Sequence, residues 1–140
     1  MALKNKKTVV FTNGCFDILH RGHVELFKKA KALGDFLVVG LNSDSSVRRI
    51  KGPKRPINGQ QDRAIVLGAL EYVDKIIVFS QDTPYELLKI LKPDILVKGA
   101  DYGGKEIIGR GFAKKTARIR LIKGKSTTKL IEKLKANLIK

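Results

Sequence analysis

Two histidines, His20 and His23, are the only ones in the 140-residue chain, and Arg21-Gly22 separates them. They close the stretch Thr12-Asn-Gly-Cys-Phe-Asp-Ile-Leu-His-Arg-Gly-His23. They stand at the entrance of a predicted helix, where the free N–H groups favour phosphate. Later in the chain come other groups suited to phosphate: Lys51 and Arg55 in a basic loop, Lys98-Gly99 after an apolar run, and Ser126-Thr127-Thr128 at a predicted helix start. Lysines neutralise phosphate, glycines let the backbone approach it, and the free N–H groups of a helix start bind it. The sequence has no cysteine cluster, no carboxylate pair at metal spacing and no Ser–His–Asp arrangement. This set suits phosphoryl-type chemistry, in which catalysis is mostly positioning and charge stabilisation.

The elements that must position these residues are legible from hydrophobic periodicity. Val9-Val10-Phe11 reads as a buried strand over about Thr8 to Asn13, and Val24 to Leu33 carries apolar residues at helical spacing. The histidines therefore sit at a strand–loop–helix junction, the place where α/β proteins bind ligands. A second strand is predicted over Asp35 to Asn42, and a short helix from the capping run Asn42-Ser43-Asp44-Ser45 to about Ile50. Lys51 to Gly59, with two prolines and two glycines, reads as loop. Gln60 to Tyr72 is apolar nearly all round, which predicts a deeply buried helix or one that meets a second subunit. Further strands are expected over Asp74 to Phe79, Asp94 to Lys98 and Ala117 to Ile122. Helices are expected from Asp82-Thr83-Pro84 to about Leu91, over Glu106 to Thr116, and after Ser126 or Thr127. Five strands alternating with helices argue for a parallel sheet with right-handed crossovers. No Gly-x-Gly-x-x-Gly follows the first strand, so the ordinary dinucleotide fingerprint is absent.

Composition bounds the rest. Hydrophobic residues make up 43% and charged residues 30% of the chain, which fits a globular protein. No apolar run approaches the roughly 20 residues of a membrane span, and the basic start lacks the apolar segment of a secretory signal. The single cysteine, Cys15, excludes an internal disulfide and fits a reducing, cytoplasmic setting. The net charge is +16. Many of the basic residues fall on outer faces of predicted helices, such as Lys28, Lys29, Lys31, Lys129, Lys133 and Lys135, and the chain lacks an arginine-rich tail or zinc-finger spacing. A basic nucleic-acid-binding module is the alternative from a different functional class, and the histidine pair argues against it, because a pure binder does not need it.

The stretch Thr12 to His23 resembles the signature of the nucleotidyltransferase family with the His-x-Gly-His motif. The resemblance continues in order through Asn42-Ser43-Asp44, Lys51-Gly52, Arg55-Pro56-Ile57-Asn58, Arg63, Asp82-Thr83-Pro84, Lys98-Gly99-Ala100-Asp101-Tyr102 and Ser126-Thr127-Thr128. It covers about residues 9 to 134. It is greatest to the adenylyltransferase domains that work in ADP-heptose synthesis, an early part of lipopolysaccharide assembly. It implies transfer of AMP from ATP, with Mg²⁺, to D-glycero-D-manno-heptose 1-phosphate, giving ADP-heptose and pyrophosphate. His20, His23 and Lys51 would be catalytic. Thr12, Asn13, Gly14, Cys15, Phe16, Asp17, Gly22, Lys98, Gly99, Asp101, Ser126, Thr127 and Thr128 would bind the nucleotide, with Asp17 also bracing the loop. Asn42, Asp44, Arg55, Arg63 and Tyr102 are weaker substrate or phosphate candidates, and no dedicated metal site is expected.

The expected architecture is one Rossmann-like α/β domain over residues 1–140, with its core at about 8–135. It is a doubly wound five-stranded parallel sheet of order 3-2-1-4-5. Partners are anionic small molecules, a heptose kinase on a separate chain, and a second copy of this chain through the Gln60 to Tyr72 face. Related enzymes that make CDP-glycerol or FAD are the alternative. The glycerol-3-phosphate cytidylyltransferases carry an arginine five residues before the last serine motif. Leu121 stands there in this chain, which counts against that alternative.

Overall fold

A computed structural model describes residues 7–100, 107–120 and 126–139, apart from the side chains of Ala100 and Ile139. Five strands form one sheet: β1 (Val9–Gly14), β2 (Phe36–Asn42), β3 (Lys75–Phe79), β4 (Ile95–Ala100) and β5 (Lys115–Arg120). The order is β3-β2-β1-β4-β5 with every pairing parallel, as expected from the sequence. The crossovers carry α1 (Arg21–Ala32), α2 (Asp44–Lys51), α3 (Gln60–Gly68) and α4 (Tyr85–Leu91), and α5 (Thr127–Ile139) follows β5.

The strands alternate side chains between two faces, so each apolar strand feeds two cores. Val10, Leu37, Val39, Ile95 and Val97 join Leu26, Phe27 and Ala30 of α1 and Leu67 of α3 on one side. Phe11, Val38 and Leu96 meet Leu88 of α4 and Ile107 on the other. Helices thus cover both faces, which is why the central strands are near-continuous apolar runs.

The amino ends of the strands are fastened by aspartates. Asp35 accepts the Thr8 N–H at 2.9 Å, Asp74 the Leu37 N–H at 2.8 Å and Asp94 the Val9 N–H at 2.7 Å. Each aspartate also donates its own N–H to the neighbouring strand: to Thr8 O, Leu37 O and Val9 O in turn. The three short sequences Gly34-Asp35, Val73-Asp74 and Pro93-Asp94 are therefore clamps that set register at the rim opposite the histidines.

Two elements differ from expectation. The predicted helix over Glu106 to Thr116 is not formed by its described residues. A short 3₁₀ turn covers Arg110–Phe112 and β5 already begins at Lys115. Gly109 lies at φ 82°, and a Cβ there would fall 2.5 Å from Leu88 Cδ1, so the chain turns tightly over α4 instead of coiling. Helix α3 is shorter than the apolar run and ends at Gly68. It buries Arg63 and Leu67, while Ile65 and Val66 stay 66% and 51% exposed. The uniformly apolar pattern therefore does not mark a fully buried helix.

Candidate active site

At the carboxyl ends of the strands lies a cavity of about 420 Å³. The Thr12 to Asp17 stretch, His20, His23, Asn42, Lys51, Arg55, Lys98, Gly99, Ser126, Thr127 and Thr128 all line it. β1 and β4 lie side by side, and the strand order runs outward from them in opposite directions, to β2 and β3 on one side and β5 on the other, so their ends open the crevice in which this class of sheet binds ligands.

The histidines are built into the helix start itself. His20 is the N-cap of α1, and its Nδ1 accepts the Gly22 N–H at 3.0 Å. His23, three residues on, accepts the His20 N–H through its own Nδ1 at 3.2 Å. This is a capping box with imidazoles in the places usually taken by a hydroxyl and a carboxylate. Because each Nδ1 is an acceptor, each ring carries its proton on Nε2. The tautomer that donates outward is thus fixed by the backbone. The rings lie 3.9 Å apart between centroids, and His23 packs edge-on against Phe16 at 5.4 Å. Phe16 in turn lies over Gly14, where a Cβ would stand 2.8 Å from the Phe16 ring. Gly14 is needed for that close approach.

Burial, and then the neighbouring His20, pull the His23 pKa down from 6.5 to about 4. His23 is therefore a neutral N–H donor at physiological pH, not a cation. Between those two values the unfolded chain holds the extra proton and the folded chain does not. The protein should therefore lose stability as pH falls from about 6.5 towards 4. The loss is at most about 3 kcal/mol, and less because the ring is partly open to the cavity. Urea unfolding at pH 7 and pH 5 should show a steeper decline for the wild type than for His23→Gln. Parallel declines would show that His23 titrates normally.

Asp17 fastens the basic loop to the histidine loop. Its carboxylate accepts the backbone N–H groups of Ile57 at 2.7 Å and Asn58 at 2.8 Å, with Arg55 Nε at 3.4 Å. The bracing expected of Asp17 is thus made through backbone groups that carry no sequence signal. Burial pushes the Cys15 thiol up, against the pull of Lys51, Arg63 and Arg55, so it stays a packed thiol beside the cavity.

At the far side, Ser126 caps α5: its Oγ accepts the Lys129 N–H at 3.1 Å. The Thr127 hydroxyl donates to Ile18 O at 3.0 Å, tying α5 to the histidine loop. Thr127 can therefore offer an anion its backbone N–H but not its hydroxyl proton. N–H groups in the first turn of a helix are donors of the kind that bind phosphate.

Arg63 needs correction. The sequence makes it a phosphate candidate, but its side chain is fully buried and it does not line the cavity. The guanidinium donates to Asn58 O at 2.9 Å, Cys15 O at 2.7 Å, Asn42 O at 2.8 Å and Asp44 Oδ1 at 2.8 Å. Asp44 is consumed by this ion pair and likewise stands outside the cavity wall. Gly22 is buried beneath His20 and does not line it either. Asp101 and Tyr102 lie outside the described residues. Asp82, Ile50, Leu26 and Val97 also line the cavity and are not among the sequence candidates. Asp82-Thr83-Pro84 reads as a helix start, which hides the carboxylate's second position.

The sequence profile of the Cytidylyltransferase-like family matches residues 11–133. The chain belongs to the cytidylyltransferase-like family. It is a nucleotidyltransferase by that membership. It is 59% identical over 133 residues to the bifunctional protein HldE of a Nitratiruptor species, covering 95% of this chain and 29% of that protein. It is 61% identical over 131 residues to the bifunctional protein HldE of Helicobacter acinonychis (strain Sheeba), covering 94% and 28%. The chain thus spans a little over a quarter of the length of these relatives. Among solved structures, the lipopolysaccharide core biosynthesis protein from Thermoplasma volcanium GSS1 superposes with a TM-score of 0.73 at 32% identity, over 83% of this chain and 98% of that one. Among the described residues, no helix is long and apolar enough to cross a membrane.

Proposed function

We propose that the chain transfers AMP from ATP to D-glycero-D-manno-heptose 1-phosphate, releasing pyrophosphate. The observation that carries the reading is the paired imidazoles, each held by the α1 capping box with its Nε2–H outward in a cavity rimmed by lysines and a helix N-terminus. The motif resemblance to heptose adenylyltransferase domains and the identity to proteins named HldE support the choice of substrates.

In this reading an oxygen of the sugar phosphate attacks the α-phosphorus in line. The new P–O bond forms as the bond to the bridging oxygen breaks, and pyrophosphate leaves with the bonding pair. The nucleophile is already ionised at neutral pH, so no general base is required. His20 and His23 donate hydrogen bonds to the phosphate oxygens as negative charge grows. Lys51, at the exposed end of α2, neutralises the meeting phosphates, and the first turn of α5 receives the leaving pyrophosphate. Mg²⁺ enters with ATP, carried by its phosphates and water. Asp17, whose oxygens are spent on Ile57, Asn58 and Arg55, adds no ligand.

The test is pyrophosphate release with Mg²⁺, crossing ATP and CTP with heptose 1-phosphate, glycerol 3-phosphate, FMN and phosphopantetheine. Release with ATP and heptose 1-phosphate alone is expected. Release with CTP and glycerol 3-phosphate would replace the substrates and keep the roles of the histidines.

A further inference from the structure

The cavity wall is chemically divided. On the β1, β4 and α5 side it carries the imidazole N–H groups, Lys98 and the helix start, and the Asp17 carboxylate there is already spent on Ile57, Asn58 and Arg55. On the β2–β3 side two groups can only accept. Asn42, at the end of β2, is 4% exposed and lines the cavity. Its Nδ2 donates to Ser46 Oγ at 3.0 Å, and Ser46 Oγ gives its own proton to Gln81 O at 2.8 Å. That relay fixes which way the amide faces, because Ser46 Oγ has no proton left to give Asn42. Asn42 Oδ1 takes no hydrogen bond from the described residues. Among them no sealed side-chain oxygen or nitrogen lacks a partner, so Oδ1 is open to the cavity.

Asp82 follows Gln81 directly and also lines the cavity. Its Oδ1 accepts Arg49 Nε at 2.7 Å, while Arg49 Nη2 donates to Ser80 O. Oδ2 is left uncommitted by the described residues. Ser46 and Arg49, one turn apart on α2, thus pin residues 80–82 from both ends. The result is a pair of acceptor atoms on one side of a cavity that also carries Lys51, Arg55 and Lys98.

Phosphate oxygens would be repelled by these atoms, and a metal would find too few ligands: no group of three or more histidine, cysteine or acidic side chains is gathered among the described residues. Hydroxyl protons fit. We infer that Asn42 Oδ1 and Asp82 Oδ2 form the subsite that binds the hydroxyls of a polyhydroxylated acceptor, with Ser46 and Arg49 as positioning residues. This rests on the transferase reading of the same cavity. It makes the β2–β3 side the selector of sugar acceptors, with Lys51 of the same cavity as a cation for the acceptor's phosphate. A site that hydrogen-bonds hydroxyls discriminates against analogues lacking them, because its acceptors are then left unpaired.

The experiment measures pyrophosphate release with MgATP and heptose 1-phosphate, varying each substrate in turn. Asp82→Ala, at a side chain 64% exposed, should fold normally. It should raise the acceptor KM about 10- to 100-fold, the cost of a hydrogen bond to a charged group, with the ATP KM unchanged. Ser46→Ala should raise the acceptor KM by a smaller factor at constant kcat, because the amide is then free to turn. A deoxy acceptor lacking the bound hydroxyl should be handled equally by wild type and Asp82→Ala. An unchanged acceptor KM in Asp82→Ala, or a rise in the ATP KM instead, would overturn the subsite while leaving the transfer reaction intact. Wild-type protein that releases pyrophosphate with neither heptose 1-phosphate nor glycerol 3-phosphate would remove the transfer reading and the subsite with it.

Discussion

Replacing His20 by asparagine is expected to lower kcat by about a hundredfold or more and to leave the fold as stable as before, or slightly more so. Histidine is a poor N-cap and asparagine one of the best. The asparagine oxygen can take the Gly22 N–H that His20 Nδ1 accepts now, but it cannot return a donor where Nε2–H stands. Activity and stability should therefore part. His23→Ala is the complement. It should lose a similar factor in kcat and also up to about 1 kcal/mol of stability, because the His20 N–H loses its acceptor. Steady-state pyrophosphate release and urea unfolding on the same preparations read both effects. Wild-type turnover in either variant would take the histidines out of the mechanism.

Arg63→Ala should be the most destabilising of the polar substitutions, by about 3–5 kcal/mol. It would strand three carbonyl oxygens and the Asp44 carboxylate that the guanidinium now satisfies, within a total stability of order 5–15 kcal/mol. Should the alanine variant fail to accumulate, Arg63→Lys keeps the question open to measurement. An ammonium keeps the charge but cannot span four acceptors, so its unfolding midpoint should lie well below wild type. A shift worth less than about 1 kcal/mol in Arg63→Lys would mean that the hub contributes little. The variants should also bind ATP more weakly, since Cys15, Asn42 and Asn58 belong to three different walls or supports of the cavity.

The contrast between Arg63 and the histidines explains what can be read in advance. Strands such as Phe36–Asn42 announce themselves because both faces are buried and their apolar runs are unbroken. The histidine loop announces itself because the chain has no other histidines and the loop lies between such a strand and an amphipathic helix. Arg63 does not, because a charged residue on a helix reads as surface. Only the three-dimensional meeting of two strand ends, a helix start and a loop gives it four acceptors. Ile65 and Val66 are ambiguous in the opposite sense: apolar side chains fit either the core or a second subunit, and here they face outward. Asp82 is hidden by its adequacy as a helix-start residue. The turn at Gly109 escapes the sequence because a steric approach to Leu88, some twenty residues earlier in the chain, decides it.

The aspartate clamps at the amino ends of β2, β3 and β4, which tie these strands to β1 and β2, give the molecule a division of labour. Register and strand pairing are secured at one rim by Asp35, Asp74 and Asp94, far from the imidazoles. The opposite rim is thereby released from setting register and carries glycines, lysines and an imidazole-capped helix start, held together there by Arg63 instead. An engineer seeking a hardier catalyst should therefore work around the aspartates. One seeking a new acceptor should leave them untouched and rebuild the other end, because the two ends can be revised independently.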